Sequence, residues 1–135
     1  MPLRIGLVIP PAVFLIDDRA FVFLGVIQIA AAARQAGHAV EVLDCTGHSR
    51  KCAKKVHDEA CAAATLAESQ RAVGELAARV DVIGFYSMAA LHCFVSKFLA
   101  PAKESNPRVV TVIGGPHAST APERCLAEGW DFVVV

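Results

Sequence analysis

The sequence lacks the closely spaced cysteines that hold an iron–sulfur cluster. Its 135 residues include five cysteines, but neither C-x-x-C nor C-x-x-x-C-x-x-C occurs. An odd number without a repeating spacing also argues against a disulfide framework. We therefore expect no cluster bound by this chain and no set of disulfide staples.

An excess of charge of either sign is also missing. Lys plus Arg and Asp plus Glu number 13 each, and charged residues make up only 19% of the chain. This balance gives no indication of a nucleic-acid partner or of an anionic membrane surface. No apolar run reaches the roughly 20 residues of a membrane-spanning helix, and no cleavable leader opens the sequence. We expect a cytoplasmic protein without a membrane or nucleic-acid partner.

Hydrophobic residues, in contrast, are abundant. They form 55% of the sequence, enough to build one well-buried domain over residues 1–135. The final apolar run, Asp131 to Val135, has no polar tail after it. We interpret the chain as a single domain and expect it to be a fragment of a longer enzyme.

Apolar runs that alternate with helical patterns predict an α/β fold. The predicted strands are residues 4–9, 39–43, 81–86, 109–113 and 131–135. The predicted helices are residues 25–35, 66–79, a stretch from about 90 to a proline at 101 or 107, and 122–128. Such alternation implies right-handed crossovers and a parallel sheet covered on both faces. We predict a three-layer, Rossmann-like (flavodoxin-like) five-stranded parallel sheet of order 2-1-3-4-5.

In that order, the loops after Ile9, Tyr86 and Ile113 meet at the carboxyl edge of the sheet. The third of these loops reads Gly114-Gly115-Pro116-His117. Glycines at a strand end let a large ligand approach the backbone, although a tight strand-to-helix turn explains them equally well. His117 either reaches a ligand or hydrogen-bonds its own turn, and the second interpretation is slightly favoured.

Three other features near this edge have both a functional and a structural interpretation. Asp44 ends the second strand, where an acid contacts the ribose in dinucleotide folds, but Pro10-Pro11 stands where their glycine fingerprint belongs. Dinucleotide binding is therefore disfavoured. Ser87 either binds a ligand or caps the next helix, which we favour. The apolar loop from 12 to 24 either packs on a flat organic group or folds back on the core.

The segment from Cys45 to Cys61 contains potential zinc ligands. Its cysteines and histidines are Cys45, His48, Cys52, His57 and Cys61. Their spacing matches no standard zinc module, so a solvated, reduced surface segment is the favoured interpretation and a metal site the alternative. We assign no metal ligand and no catalytic residue.

Taken together, the ordered motifs resemble a known family. The first half contributes Ile9-Pro10-Pro11, Gly25 with its Ala-rich helix, Ala36-Gly37-His38-Ala39-Val40 and Leu43-Asp44. The second half contributes Asp81-Val82-Ile83-Gly84-Phe85, Pro107, Gly114-Gly115-Pro116-His117-Ala118 and Asp131-Phe132-Val133-Val134. Over essentially the whole chain, this order is similar to the N-terminal cobalamin-binding domain of cobalamin-dependent radical S-adenosylmethionine enzymes.

The resemblance implies that cobalamin lies with its corrin ring over the carboxyl edge and its nucleotide tail along the strands. The implied cofactor-binding residues are Pro10, Pro11, Gly25, Asp44, Ser87, Met88, Ala89, Gly114, Gly115, Pro116 and His117. It also implies a parent enzyme, methyltransferase-type or related, with a 4Fe-4S cluster and S-adenosylmethionine. This chain binds neither of them, and a downstream domain in cis or a partner in trans supplies them.

Two departures from other cobalamin domains matter for the interpretation. Ala89 replaces the leucine of a Ser-x-Leu signature, and no histidine stands between Met1 and Gly37 to ligate cobalt. The second departure is shared with the radical enzymes and implies base-off cobalamin without a protein imidazole. Two alternatives stay open: a docking domain of this fold that has lost the cofactor, and the N-terminal half of a nucleotide-sugar glycosyltransferase.

Overall fold

The structure is a computed structural model that describes residues 1–15, 17–47 and 59–135. Its strands are β1 (Arg4–Ile9), β2 (Ala39–Asp44), β3 (Val82–Tyr86), β4 (Val110–Gly114) and β5 (Phe132–Val133). Its helices are α1 (Leu24–Gln35), α2 (Glu59–Ala77), α3 (His92–Val95), α4 (Leu99–Ser105), α5 (Pro116–Thr120) and α6 (Pro122–Glu128). A 3₁₀ turn, Ser96–Phe98, joins α3 to α4.

The five strands form one parallel sheet of order β2-β1-β3-β4-β5, as predicted. In the register of the central strands, Leu7 lies opposite Gly84, and Tyr86 lies opposite Gly114. The chain adds β2 on one side of β1 and then adds β3, β4 and β5 on the other side. The order of addition therefore reverses between β1 and β3. The carboxyl ends of these two strands are therefore where a crevice is expected.

Most of the core lies on one face of the sheet. Val8, Ile83 and Ile113 project there and are fully buried beneath α2 to α6. Within residues 1–15, 17–47 and 59–135, the helix that packs on the other face is α1, through a smaller cluster that includes Leu7 and Val26. Over β4 and β5 this second face is more open: Val112 is half-buried and Phe132 is 60% exposed. The expectation of a sheet covered on both faces is therefore met less completely over β4 and β5.

Helix boundaries differ from the predictions in two places. α2 begins at Glu59 rather than Leu66, because the alanines from 60 to 64 favour helix without forming an apolar stripe. A short helix, α5, follows the two glycines and was not predicted. Just before α6, the hydroxyl of Thr120 donates to the carbonyls of Pro116 and His117.

The third predicted helix is divided into α3, the 3₁₀ turn and α4. Pro101 lies in the first turn of α4, where its missing N–H leaves the carbonyl of residue 97 without the usual helical donor. The side-chain amide of Gln70 in α2 donates to that carbonyl at 3.0 Å. The contact with α2 thus satisfies the carbonyl that the proline leaves without a donor. At its other end, α4 stops at Asn106, directly before Pro107.

Candidate cofactor-binding edge

The loops that follow β3 and β4 are bound to each other at the carboxyl edge. The amide of Ser87 donates to the carbonyl of Gly114 at 2.8 Å, and the amide of His117 donates to the carbonyl of Ser87 at 3.1 Å. Gly115 connects the two contacts with φ of +102°, a left-handed conformation that favours glycine. A Cβ at this position would lie 2.6 Å from the Ser87 carbonyl oxygen. The turn therefore requires glycine whether or not a ligand is bound.

An apolar cleft of about 420 Å³ opens at the same edge, between the loop after β1 and the ends of β3. It is lined by Ala12, Phe14, Leu15, Asp18, Phe21, Val22, Phe23, Leu24, Gly25, Val26, Tyr86, Met88 and Leu91. Phe23 meets Tyr86 edge-on, with ring centroids 5.3 Å apart. The loop thus packs on the sheet edge in part, while Phe21 and Val22 are 67% and 68% exposed. It has the apolar surface that a flat organic group requires.

Polar contacts of Asp18 and Asp44 order the loops after β1 and β2. The carboxylate of Asp18 is buried and accepts the amide of Gly47 at 2.8 Å, so the loop after β1 is joined to the end of β2. Asp44 accepts the amide of Thr46 at 2.9 Å and its hydroxyl at 2.6 Å. In this conformation Asp44 stabilises its own turn, and its role toward a ligand stays a prediction.

The other predicted site residues occupy different depths. Gly25 and Met88 line the cleft, whereas Pro10 and Pro11 are buried directly after β1 and are not among its lining residues. Ala89 and Pro116 are exposed, in the loop after β3 and at the start of α5. The structure therefore brings most of the predicted residues to one edge, without testing whether they bind a cofactor.

Ser87 belongs to a hydrogen-bonded chain that the sequence did not reveal. It is fully buried, and its hydroxyl shares a 2.9 Å hydrogen bond with Nδ1 of His92, instead of capping the following helix as expected. Nε2 of His92 lies 3.0 Å from both carboxylate oxygens of Glu128 in α6. A serine–histidine–carboxylate order suits nucleophilic catalysis only where the hydroxyl is accessible. Because Ser87 has no exposed surface, these hydrogen bonds serve instead to position α3 and α6 relative to each other.

The hydrogen bonds with its neighbours favour the ionised form of Glu128. Burial raises the pKa of its carboxyl group, but the contacts with His92 and the indole of Trp130 outweigh burial and hold the pKa below its usual range. Trp130 Nε1 donates at 3.3 Å. The charged form of Glu128 is thus stabilised at the end of α6 by polar neighbours.

His117 packs against His92 and is not among the residues that line the cleft. Its ring stacks on that of His92, with centroids 3.8 Å apart and an angle of 26° between the planes. Its Nε2 atom is buried and has no hydrogen-bond partner, so the favoured hydrogen bond to its own turn is not made by this atom. Burial, and then the neighbouring His92, lower the pKa of the His117 imidazole.

The Cys- and His-rich segment is described only at its ends. Cys45 is a buried free thiol, and burial raises its pKa to about 11. Cys61 is disulfide-bonded, so the expectation of a fully reduced segment is wrong at this residue. The metal-site alternative for this segment depends on residues 48–58, which lie outside the described residues.

None of the helices in the described part of the chain has both the length and the apolar character to cross a membrane.

Comparison with known proteins identifies the family to which the chain belongs. No curated protein matches the sequence. Among protein families, the B12 binding domain matches residues 22–135, which include four of the five strands and the whole Gly114–Gly115 turn. The chain therefore belongs to the B12 binding domain family and is a cobalamin-binding module.

Proposed function

We propose that this module holds cobalamin at the carboxyl edge of the sheet in the base-off form, with neither a protein imidazole nor the cofactor's own base beneath the cobalt. One observation carries the proposal: the apolar cleft beside β1 and β3 is lined without any histidine among the described residues. An apolar floor of this kind suits the face of a corrin ring from which the axial ligand has been removed.

The residues of the cleft fit the cofactor in shape and polarity. Phe14, Phe21 and Val22 offer partly exposed apolar surface to a flat ring, and Met88 contributes a flexible thioether beside it. Pro10 and Pro11 give a stiff backbone to the start of the loop that lines the cleft. When bound, cobalamin supplies a cobalt centre for methyl transfer or reduction, and the chain's role is to position it and limit access of water.

The open second face of the sheet suits the nucleotide tail. Gly114 contributes no side chain to this face, and a Cβ built there meets only ordinary contacts, whereas Leu7 fills the space beside Gly84. The missing side chain at Gly114, next to the half-buried Val112, leaves an apolar surface along β4 that supports this placement of the tail. Ser87 is turned toward the opposite face, so in this proposal its backbone, with Gly115, shapes the turn at the upper end of this surface.

The parent reaction follows from the sequence resemblance. We place the module in a cobalamin-dependent radical S-adenosylmethionine enzyme, methyltransferase-type or related, whose 4Fe-4S cluster and S-adenosylmethionine belong to another domain or chain. The exposed apolar side chains around the cleft, Phe21, Val22 and Leu24, would then face that domain across the corrin ring.

Electron paramagnetic resonance of bound cob(II)alamin tests the axial arrangement. The proposal predicts a base-off spectrum without superhyperfine splitting from an axial nitrogen. Splitting that persists would contradict it, and its loss in His117→Gln would then identify the protein ligand.

Gly114→Val tests the path of the tail. A Cβ at Gly114 meets only ordinary contacts, the nearest being Val134 Cβ at 3.6 Å, so the variant is expected to fold. The valine would occupy the proposed path and weaken cobalamin binding by at least about tenfold. The control is Ser119→Val, which adds the same side chain on exposed α5 and should bind as the wild type does. Equal affinities for the two variants would place the tail elsewhere.

A further inference from the structure

A cluster of metal-binding side chains lies behind the cofactor edge, on the opposite face of the sheet. One ligand atom from each of His92, His117 and Cys125 lies within 4.8 Å of the other two. The three residues come from α3, α5 and α6, respectively. They are separated by up to 33 positions in sequence, so no local spacing motif could reveal them.

The cluster is sheltered from solvent. His92 is only 7% exposed and Cys125 is fully buried, while His117 is half-buried with its Nε2 atom enclosed. A buried ring nitrogen without a hydrogen-bond partner loses its hydration without compensation. A metal ion is one partner that would satisfy it.

The chemistry of the donors selects the type of ion. Two imidazoles and one thiolate suit Zn²⁺, whereas Mg²⁺ and Ca²⁺ prefer oxygen ligands. The carboxylate of Glu128 lies 3.0 Å from Nε2 of His92 and offers an oxygen donor beside the cluster. Ser87 fixes the His92 ring through Nδ1, which is the orientation role that outer partners play around metal-bound histidines.

We propose that His92, His117 and Cys125 bind one Zn²⁺ ion and thereby join α3, α5 and α6. This site is separate from the proposed cobalamin site and does not depend on it. Burial raises the pKa of the Cys125 thiol. On binding, the thiol becomes a thiolate bonded to zinc, and its proton passes to solvent.

Binding requires one imidazole to turn. The stacked rings are inclined by 26°, so their nitrogen lone pairs do not converge in the metal-free chain. His117 can turn with no loss at Nε2, because that atom makes no hydrogen bond. His92 keeps its hydrogen bond to Ser87 through Nδ1, while its Nε2 exchanges the contact with Glu128 for the bond to zinc.

The test is titration of the cobalamin-free, reduced chain with Co²⁺ and then with Zn²⁺. Co²⁺ reports its ligands through its visible absorption and a sulfur-to-metal charge-transfer band. We expect one Co²⁺ per chain, a charge-transfer band, displacement by Zn²⁺ and a rise in the denaturation midpoint with Zn²⁺. Cys125→Ser should abolish the charge-transfer band, and His117→Gln should weaken binding by at least about tenfold.

Two controls separate this site from the other thiols. Cys93→Ser removes an exposed thiol next to His92 and should leave binding unchanged. The combined variant Cys45→Ser, Cys52→Ser, Cys61→Ser removes every thiol of the Cys-rich segment and should also leave it unchanged. Circular dichroism of each variant establishes folding. The proposal is overturned if no stoichiometric metal binds, or if folded Cys125→Ser retains the charge-transfer band while the combined variant loses it.

Discussion

At the scale of single residues, Gly115 has the strictest conformational requirement at the candidate site. Its φ of +102° and the 2.6 Å approach of a Cβ to the Ser87 carbonyl both oppose any larger residue. We predict that Gly115→Ala lowers the free energy of unfolding by about 1–3 kcal/mol. Urea denaturation followed by circular dichroism measures the loss.

Gly25→Ala is the matched control for Gly115→Ala. Gly25 lies in the first turn of α1, and a Cβ there has no atom within 4 Å. Alanine should therefore be neutral or stabilise the chain by up to about 1 kcal/mol. If the free energy of unfolding fell equally in the two variants, a side chain at Gly115 would cause no specific strain in the turn.

The ion pair between Arg4 and Asp81 gives a pH-dependent contribution to stability. Arg4 Nη2 lies 2.7 Å from the Asp81 carboxylate, and the Arg4 amide donates to it at 2.8 Å. These hydrogen bonds lower the pKa of Asp81 from 3.8 to about 2. A lowered carboxyl pKa stabilises the folded chain above the unfolded value, and this contribution is lost as the pH falls toward about 2.

We therefore expect Asp81→Asn to be less stable than the wild type near neutral pH and to approach it as the pH falls from about 4 toward about 2. Urea midpoints of both proteins across this range provide the measurement. A stability difference that stays constant with pH would show that the carboxylate charge contributes nothing.

At the scale of secondary-structure elements, we expect the loop between β1 and α1 to contribute to the affinity for the corrin ring. Phe21 lines the cleft and is 67% exposed, so Phe21→Asp should leave the fold intact. If the aromatic side chain contributes about 1.5–3 kcal/mol to binding, its loss should raise the dissociation constant for cobalamin by at least about tenfold. Equilibrium titration followed by absorption measures it.

Ile29→Asp is the control for the same change in charge. Ile29 is 59% exposed on α1 and does not line the cleft, so its variant should bind cobalamin with wild-type affinity. If both substitutions weakened binding equally, a general effect of negative charge would explain the result better than contact with the ring.

The elements differ in how well the sequence predicts them. The strands were predicted within one or two residues, except for the shorter β5, because buried parallel strands are continuous apolar runs between turn residues. The start of α2 was missed because alanines give helix propensity without periodicity. The hydrogen bonds of Ser87, His92 and Glu128 could not be predicted, since they join residues up to 41 positions apart whose approach depends on the packing of α3 and α6.

At the scale of the whole molecule, the two faces of the sheet have different roles. One face carries α2 to α6 and the main core, and it includes the cluster of His92, His117 and Cys125. Among the described residues, the helix that packs on the other face is α1, and an apolar surface remains beside Gly114. This asymmetry suits the proposed arrangement, in which the main core supports an open edge for the cofactor.

Retention of cobalamin by the isolated chain tests the central claim most directly. The purified protein is incubated with hydroxocobalamin, free cofactor is removed by gel filtration, and the visible spectrum is recorded. The account predicts a corrin band at close to one cobalamin per chain, with the position typical of the base-off form. A folded protein that emerges colourless, both alone and together with the proposed radical S-adenosylmethionine domain, would contradict it.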